Sequence, residues 1–245
     1  MERTCGVIIR DLERGESDVL VEVFTSRWGR LYAVAKGGKR SKRRFLNKLE
    51  PFSYLRLLLD GPKKGLVRLD QADTVRVFVN LLGNLKKILC GFYALELVHI
   101  MTPLWDPHPE VLQLLVRFLT FLDGSSPRED HLRAFELKML SELGYRPRLE
   151  RCLGCGEPVR GEGVFSLSRG GVFHPDCARE DGIRVSEETL RRLRGVLLGE
   201  RVLPFPPEVL CEARELLPAF IRYQTGREIR TLRVMQEVGI WNSSG

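Results

Sequence analysis

The stretch Thr74-Val75-Arg76-Val77-Phe78-Val79-Asn80-Leu81-Leu82-Gly83-Asn84-Leu85-Lys86-Lys87-Ile88-Leu89 changes its period part-way along. Up to Val79 every second residue is a valine, the pattern of a strand with one face buried. From Asn80 onward Leu81, Leu82, Leu85, Ile88, Leu89, Phe92, Leu95 and Leu97 recur at helical spacing, and asparagine is a good helix N-cap. Strands lie before this point and helices after it.

Working back towards the start, apolar runs at 5–9, 18–24, 31–35, 52–59, and 66–69 with 74–79 are separated by Gly15, Gly29, Gly37-Gly38 and Gly61-Pro62. These are the residues of tight turns. About five short strands in ~80 residues, with no helical period between the first three, predict an antiparallel barrel or sandwich. An OB-type barrel fits best, and an SH3-like barrel has similar arithmetic. Towards the end, helices are expected after Pro109 to Gly124, from about Arg128 to Leu143 with Gly144 as the stop, from Ser186, and from near Pro207. Pro218 should kink or shorten the last of these. Residues 147–182 are rich in Gly, Pro and Cys and hold no sustained period. The expected fold is therefore α+β and multi-domain: an N-terminal OB-fold β-barrel over 1–79, then an all-α domain over 80–245 with a zinc-finger insertion at about 148–182.

Composition fits a folded protein, with 43% hydrophobic and 29% charged residues. No secretory leader is visible. The most apolar stretch, 88–101, is broken by Glu96 and His99 and is too short to span a bilayer. A cytoplasmic protein with no membrane partner is the expectation.

The net charge is +7. Arg27, Arg30, Lys36, Lys39, Arg40, Lys42, Arg43 and Arg44 fall in one segment with no acid among them, and without these eight the chain sums to −1. An excess gathered in one place points to a polyanion. The run Lys36-Gly-Gly-Lys-Arg-Ser-Lys-Arg-Arg44 follows a predicted strand, where glycines let backbone approach phosphates and cations release counterions. It lacks the spacing of a nucleotide-binding P-loop, having Ala33 and Arg40 where Gly and Ser or Thr would stand. Trp28, Tyr32, Phe45 and Phe52 either stack on unpaired bases or face into the barrel.

Cys152-Leu-Gly-Cys155-Gly156 is a knuckle in which two thiolates chelate one ion, and His174-Pro-Asp-Cys177 repeats the spacing. Cys152, Cys155, His174 and Cys177 make a tetrahedral zinc set with no open position, so the metal is structural. Asp176 is the alternative fourth donor. Few apolar residues surround them, and zinc, at about 10–16 kcal/mol in isolated modules, can replace a core. Cys5, Cys90 and Cys211 read as packing residues. No nucleophile elbow, dinucleotide fingerprint or carboxylate cluster is present, which points to a binding protein and not an enzyme.

The order of these features resembles the RecO family of recombination mediators. The residues that carry the likeness are Gly15-Glu-Ser-Asp18, Val23-Phe-Thr25 with Gly29, Ala35-Lys-Gly37 with its basic run, and Leu143-Gly-Tyr-Arg-Pro147 with Leu149 leading into the knuckle. The resemblance covers nearly the whole chain. It implies a non-enzymatic protein of the bacterial cytoplasm, associated with the nucleoid. Such a protein binds single- and double-stranded DNA, anneals complementary strands and helps RecA displace single-strand-binding protein (SSB). RecR and the acidic C-terminal tail of SSB are the partners it implies. Many members carry four cysteines, and here His174 takes the third place. An apolar groove for the SSB tail is expected by the helices near Asn80 and Pro109, with Lys86, Lys87, Arg117 and Arg133 the nearest cations, unless the helix bundle consumes that face. Two rivals remain: an RNA-binding barrel and zinc protein of the translation machinery, told apart by its response to the 2′-OH, and a zinc-assisted hydrolase with an open metal position.

Overall fold

The computed structural model describes residues 1–14, 16–41, 44–61, 65–179 and 182–241. Five strands come first: β1 (Glu2–Arg14), β2 (Asp18–Thr25), β3 (Gly29–Ala35), β4 (Tyr54–Asp60) and β5 (Leu66–Arg76). They close into a barrel in the order β1-β2-β3-β5-β4, with β3 and β5 parallel and the other pairs antiparallel. This is the expected OB-like barrel. β1 pairs with β4 along its first half and with β2 along its second, and a register shift between Ile8 and Arg10 lets it bend from one to the other. The two apolar runs at 66–69 and 74–79 are one strand, which ends at Arg76.

Alternate residues fill the barrel. Ile8, Val21, Val23, Leu31, Ala33, Leu55, Leu57, Leu59 and Leu69 are buried in one cluster with Phe45 and Leu49 from the β3–β4 connection. Phe45 and Phe52 thus belong to the protein interior and not to a stacking surface.

Two helices follow, α1 (Leu85–Met101) and α2 (Pro109–Gly124). The cap of α1 is Asn84 and not Asn80: Asn84 Oδ1 accepts from Lys87 N at 3.1 Å. The backbone amide of Asn80 instead donates to Asp123 Oδ1 at 2.8 Å. The chain groups into two compact units, Met1–Ser126 and Pro127–Gly245. Both helices therefore group with the barrel strands, and the change from strand to helix, between Arg76 and Leu85, falls inside the first unit. α1 reaches its neighbour closely at Gly91, where an added Cβ would lie 2.7 Å from Cε1 of Phe52.

The second unit is built on α3 (Glu129–Glu142), α4 (Glu187–Leu197), α5 (Pro207–Thr225) and α6 (Arg230–Glu237). Pro218 does not shorten α5, which runs on to Thr225, and α6 is an element that the sequence pattern does not predict. Ser186 caps α4 by accepting from Thr189 N at 3.3 Å. Between α3 and α4 lies a small antiparallel sheet of β6 (Gly163–Ser166), β7 (Gly171–Phe173) and β8 (Ile183–Val185), in the order β7-β6-β8. Its Phe165 is fully buried edge-on against Phe220 of α5, with ring centroids 5.2 Å apart. Arg133 is buried beside Glu136 at 3.0 Å, so it is no rim cation for a peptide groove. Cys90 is buried as expected, but Cys211 is exposed. Among the described residues no helix is long and apolar enough to cross a membrane.

Candidate metal centre and nucleic-acid interface

The knuckle is a tight turn registered on the small sheet. Gly156 N donates to the Cys152 carbonyl at 2.9 Å, and Leu153 N donates to the Val172 carbonyl of β7 at 2.9 Å. β7 then delivers His174, and a 3₁₀ turn over Pro175–Cys177 brings Cys177 back, its amide donating to the His174 carbonyl at 2.9 Å. The ligand atoms of Cys152, Cys155, His174 and Cys177 consequently lie within 4.8 Å of one another. A tetrahedron with ~2.3 Å metal–sulfur bonds spaces its corners about 3.8 Å apart. Asp176, the alternative donor, is exposed and stands outside this group.

Protonation fits a metal as well as spacing does. His174 Nε2 faces the Pro158 carbonyl at 3.3 Å and Nδ1 faces Cys155 Sγ at 3.4 Å. A carbonyl only accepts, so Nε2 carries the hydrogen and Nδ1 presents its lone pair to the cluster. Burial pushes the Cys152 thiol up, but backbone amides of Cys155, His174 and Gly154 aimed at its sulfur prevail and hold it at about 6. Cys177 is pushed the other way, to about 11, by lost hydration and by the sulfurs of Cys152 and Cys155 beside it. Three sulfurs this close cannot all be anions without a cation among them, and a metal ion such as zinc would supply that charge. With four protein donors the ion would hold the knuckle to β7 and leave no position for water.

The basic segment divides. Gly37 turns the chain at φ 65° into a 3₁₀ turn over Gly38–Arg40. Two anchors hold this turn to the β1–β2 hairpin: Gly37 N donates to Asp18 Oδ1 at 2.8 Å, and Lys39 N donates to the Ser17 carbonyl at 3.0 Å. Lys36, Lys39, Arg40 and Arg44 are exposed there. Arg44 donates to the Lys36 carbonyl at 3.3 Å and lies 5.0 Å over the Phe45 ring, so the ends of the loop meet. Lys42 and Arg43 lie outside the described residues.

Arg27 sits apart in the β2–β3 turn, paired with Glu2 at 2.6 Å and covering Trp28. Arg30 is withdrawn altogether. It is buried against Glu22 at 2.6 Å and donates from Nε to the Thr102 carbonyl at 3.0 Å, which corrects its assignment to a DNA-facing surface. An exposed cation outside the charge run is Arg68 on β5, across from Val34 of β3 and paired with Asp70 at 2.9 Å. The alternation of exposed and buried residues on β5 is the signal that finds it.

Two family models match the chain, one described as the Recombination protein O N terminal over residues 1–78 and the other as the Recombination protein O C terminal over residues 82–233. The DNA repair protein RecO of Anaeromyxobacter sp. (strain K) is 37% identical over 243 residues, covering 96% of this chain and 95% of that protein. The DNA repair protein RecO of Myxococcus xanthus (strain DK1622) is 36% identical, covering 96% and 97%. That of Geobacter sulfurreducens is 33% identical, covering 95% and 96%. The match runs through barrel, helices and cysteine module alike, and the chain belongs to the RecO family of recombination and DNA repair proteins.

Proposed function

We propose that this protein is a non-enzymatic recombination mediator of the RecF pathway, acting in the bacterial cytoplasm on nucleoid DNA. It binds single- and double-stranded DNA, anneals complementary strands and, with RecR, helps load RecA onto gaps coated by SSB. The observation that carries this reading is the loop of exposed cations, Lys36, Lys39, Arg40 and Arg44, on an OB-like barrel in a chain of this family. Such a loop meets phosphates without reading bases. Annealing needs no catalytic group, since cations that screen phosphate repulsion let strands meet and base pairing supplies the free energy.

The acidic tail of SSB would rest on the apolar residues that α1 leaves exposed, Leu85 and the outer edge of Phe92, whose ring packs on Phe52 at 4.7 Å; the two stand on one face of that helix. The test is annealing of complementary oligonucleotides, bare and coated with SSB. Acceleration of both supports the reading. Equal or better binding of RNA, dependent on the 2′-OH, turns it towards the translation machinery. Acceleration of bare strands alone leaves DNA binding and removes the mediator role.

A further inference from the structure

The three sulfurs of the metal centre stand in unlike surroundings. Cys152 is buried, and its Sγ accepts backbone N–H groups from Gly154 and His174, each at 3.3 Å. Cys155 is exposed and Cys177 half-buried. Both of these sit on the wall of a cavity of about 430 Å³, between the apolar side chains of Leu153, Val164 and Phe173 and the cation of Arg169. A peroxide is little larger than water, which occupies about 30 Å³ in the liquid, so this cavity admits it to the sulfurs. N–H bonds and burial shield one thiolate, while two remain open to attack and lie within 4.8 Å of each other.

We propose that Cys155 and Cys177 form a peroxide-sensitive modification site that releases the structural zinc. The Cys155 thiolate attacks one oxygen of the peroxide. The O–O bond breaks, one hydroxide leaves and takes a proton to become water, and Cys155 becomes a sulfenic acid. The Cys177 thiolate then attacks that sulfur, the S–O bond breaks, and the departing hydroxide takes a second proton. Two thiolates have lost two electrons to one disulfide, and one peroxide has become two waters. Two of the four ligands no longer bear charge, and the zinc leaves as the aqueous ion. This rests on the metal reading of the cluster.

The experiment uses the full chain with Cys5→Ser and Cys211→Ser, which removes the other accessible thiols. Zinc is measured before treatment, then its release under hydrogen peroxide is followed with a chromogenic chelator, and the disulfide is mapped by peptide mass. The expected result is about one zinc released per chain, a Cys155–Cys177 bond, and recovery with thiol reductant and added zinc. Cys155→His keeps a four-donor set without the exposed sulfur, and its release should be slower by about tenfold or more. Absence of zinc before treatment overturns the metal reading and the switch together. Zinc that stays under peroxide, a different disulfide, or equally fast release from Cys155→His overturns the switch alone.

Discussion

The guanidinium of Arg30 lies 2.6 Å from the carboxylate of Glu22, and both are shut away from solvent on the outer face of β2 and β3. His99 of α1 donates from Nδ1 to the same oxygen at 2.8 Å. Removing one partner of a buried pair leaves the other charge uncompensated, at about 3–5 kcal/mol, whereas replacing both with apolar groups is often neutral. Arg30→Ala should therefore lower the urea midpoint sharply, and Glu22→Leu with Arg30→Met should recover most of that stability. The recovered protein should bind DNA as the parent does. A drop in its DNA affinity would return Arg30 to the interface.

Acid should act on the same site. Burial alone would raise the Glu22 carboxyl, but hydrogen bonds and charge from His99 and Arg30 outweigh it and hold the group below its usual value of 4.5. A depressed carboxylate contributes stability that is fully present above pH 4.5 and lost as pH falls through the folded value. Denaturant titrations across that window should show the decline, and Glu22→Gln should flatten it. An unchanged slope in Glu22→Gln would place the acid sensitivity elsewhere.

The exposed loop cations can be tested by salt. Replacing Lys36, Lys39, Arg40 and Arg44 with Ala should weaken binding to all sequences alike. The log–log salt slope on single strands should fall by about 0.7 for each phosphate that the protein no longer neutralises. Annealing should fall in parallel. A slope that does not move would make the loop a solvated turn.

Metal analysis of the purified protein should find about one zinc per chain, and Cys155→Ser should lose it. Proteolysis should then cut within the cysteine module while barrel-dependent DNA binding persists in part. Zinc retained in Cys155→Ser would remove that cysteine from the ligand set.

Gly91 and Phe52 allow a sharper packing test. Gly91→Ala forces a methyl to within 2.7 Å of the Phe52 ring. Overpacking costs about 1–3 kcal/mol, against a gain of up to about 1 kcal/mol in helix propensity. The variant should lose stability, and adding Phe52→Leu should restore part of it. A more stable Gly91→Ala would mean that the ring moves freely.

Much of this fold is legible in the sequence because long elements carry their own period. The barrel strands alternate, and the spacing Cys152, Cys155, His174, Cys177 is itself a chemical statement. Shorter elements lack the signal. β6, β7 and β8 have only three or four residues each, too few for alternation to register, and α6 buries Met235 alone. The cap of α1 is displaced in the sequence pattern because Leu81 is fully buried and so counts towards a helix that has not yet begun. Arg30 is indistinguishable from its basic neighbours by sequence, since what buries it is Glu22 on the adjacent strand and His99 on α1, 69 residues further on.

Arg194 of α4 donates to the Leu149 carbonyl at 2.9 Å and to the Val159 carbonyl at 2.8 Å, gripping the chain on both sides of the knuckle. A helix that follows the cysteine module is thereby fastened to its base. The free energy of a metal bound there would not be confined to the module, because holding the knuckle also holds the two carbonyls that accept from Arg194 of α4. For a ligand bound only by the folded form, stability rises as RT ln(1 + [L]/Kd). With zinc in the cluster, the second unit would in this sense be a gauge of the free metal, its melting temperature a property of the solution as much as of the chain.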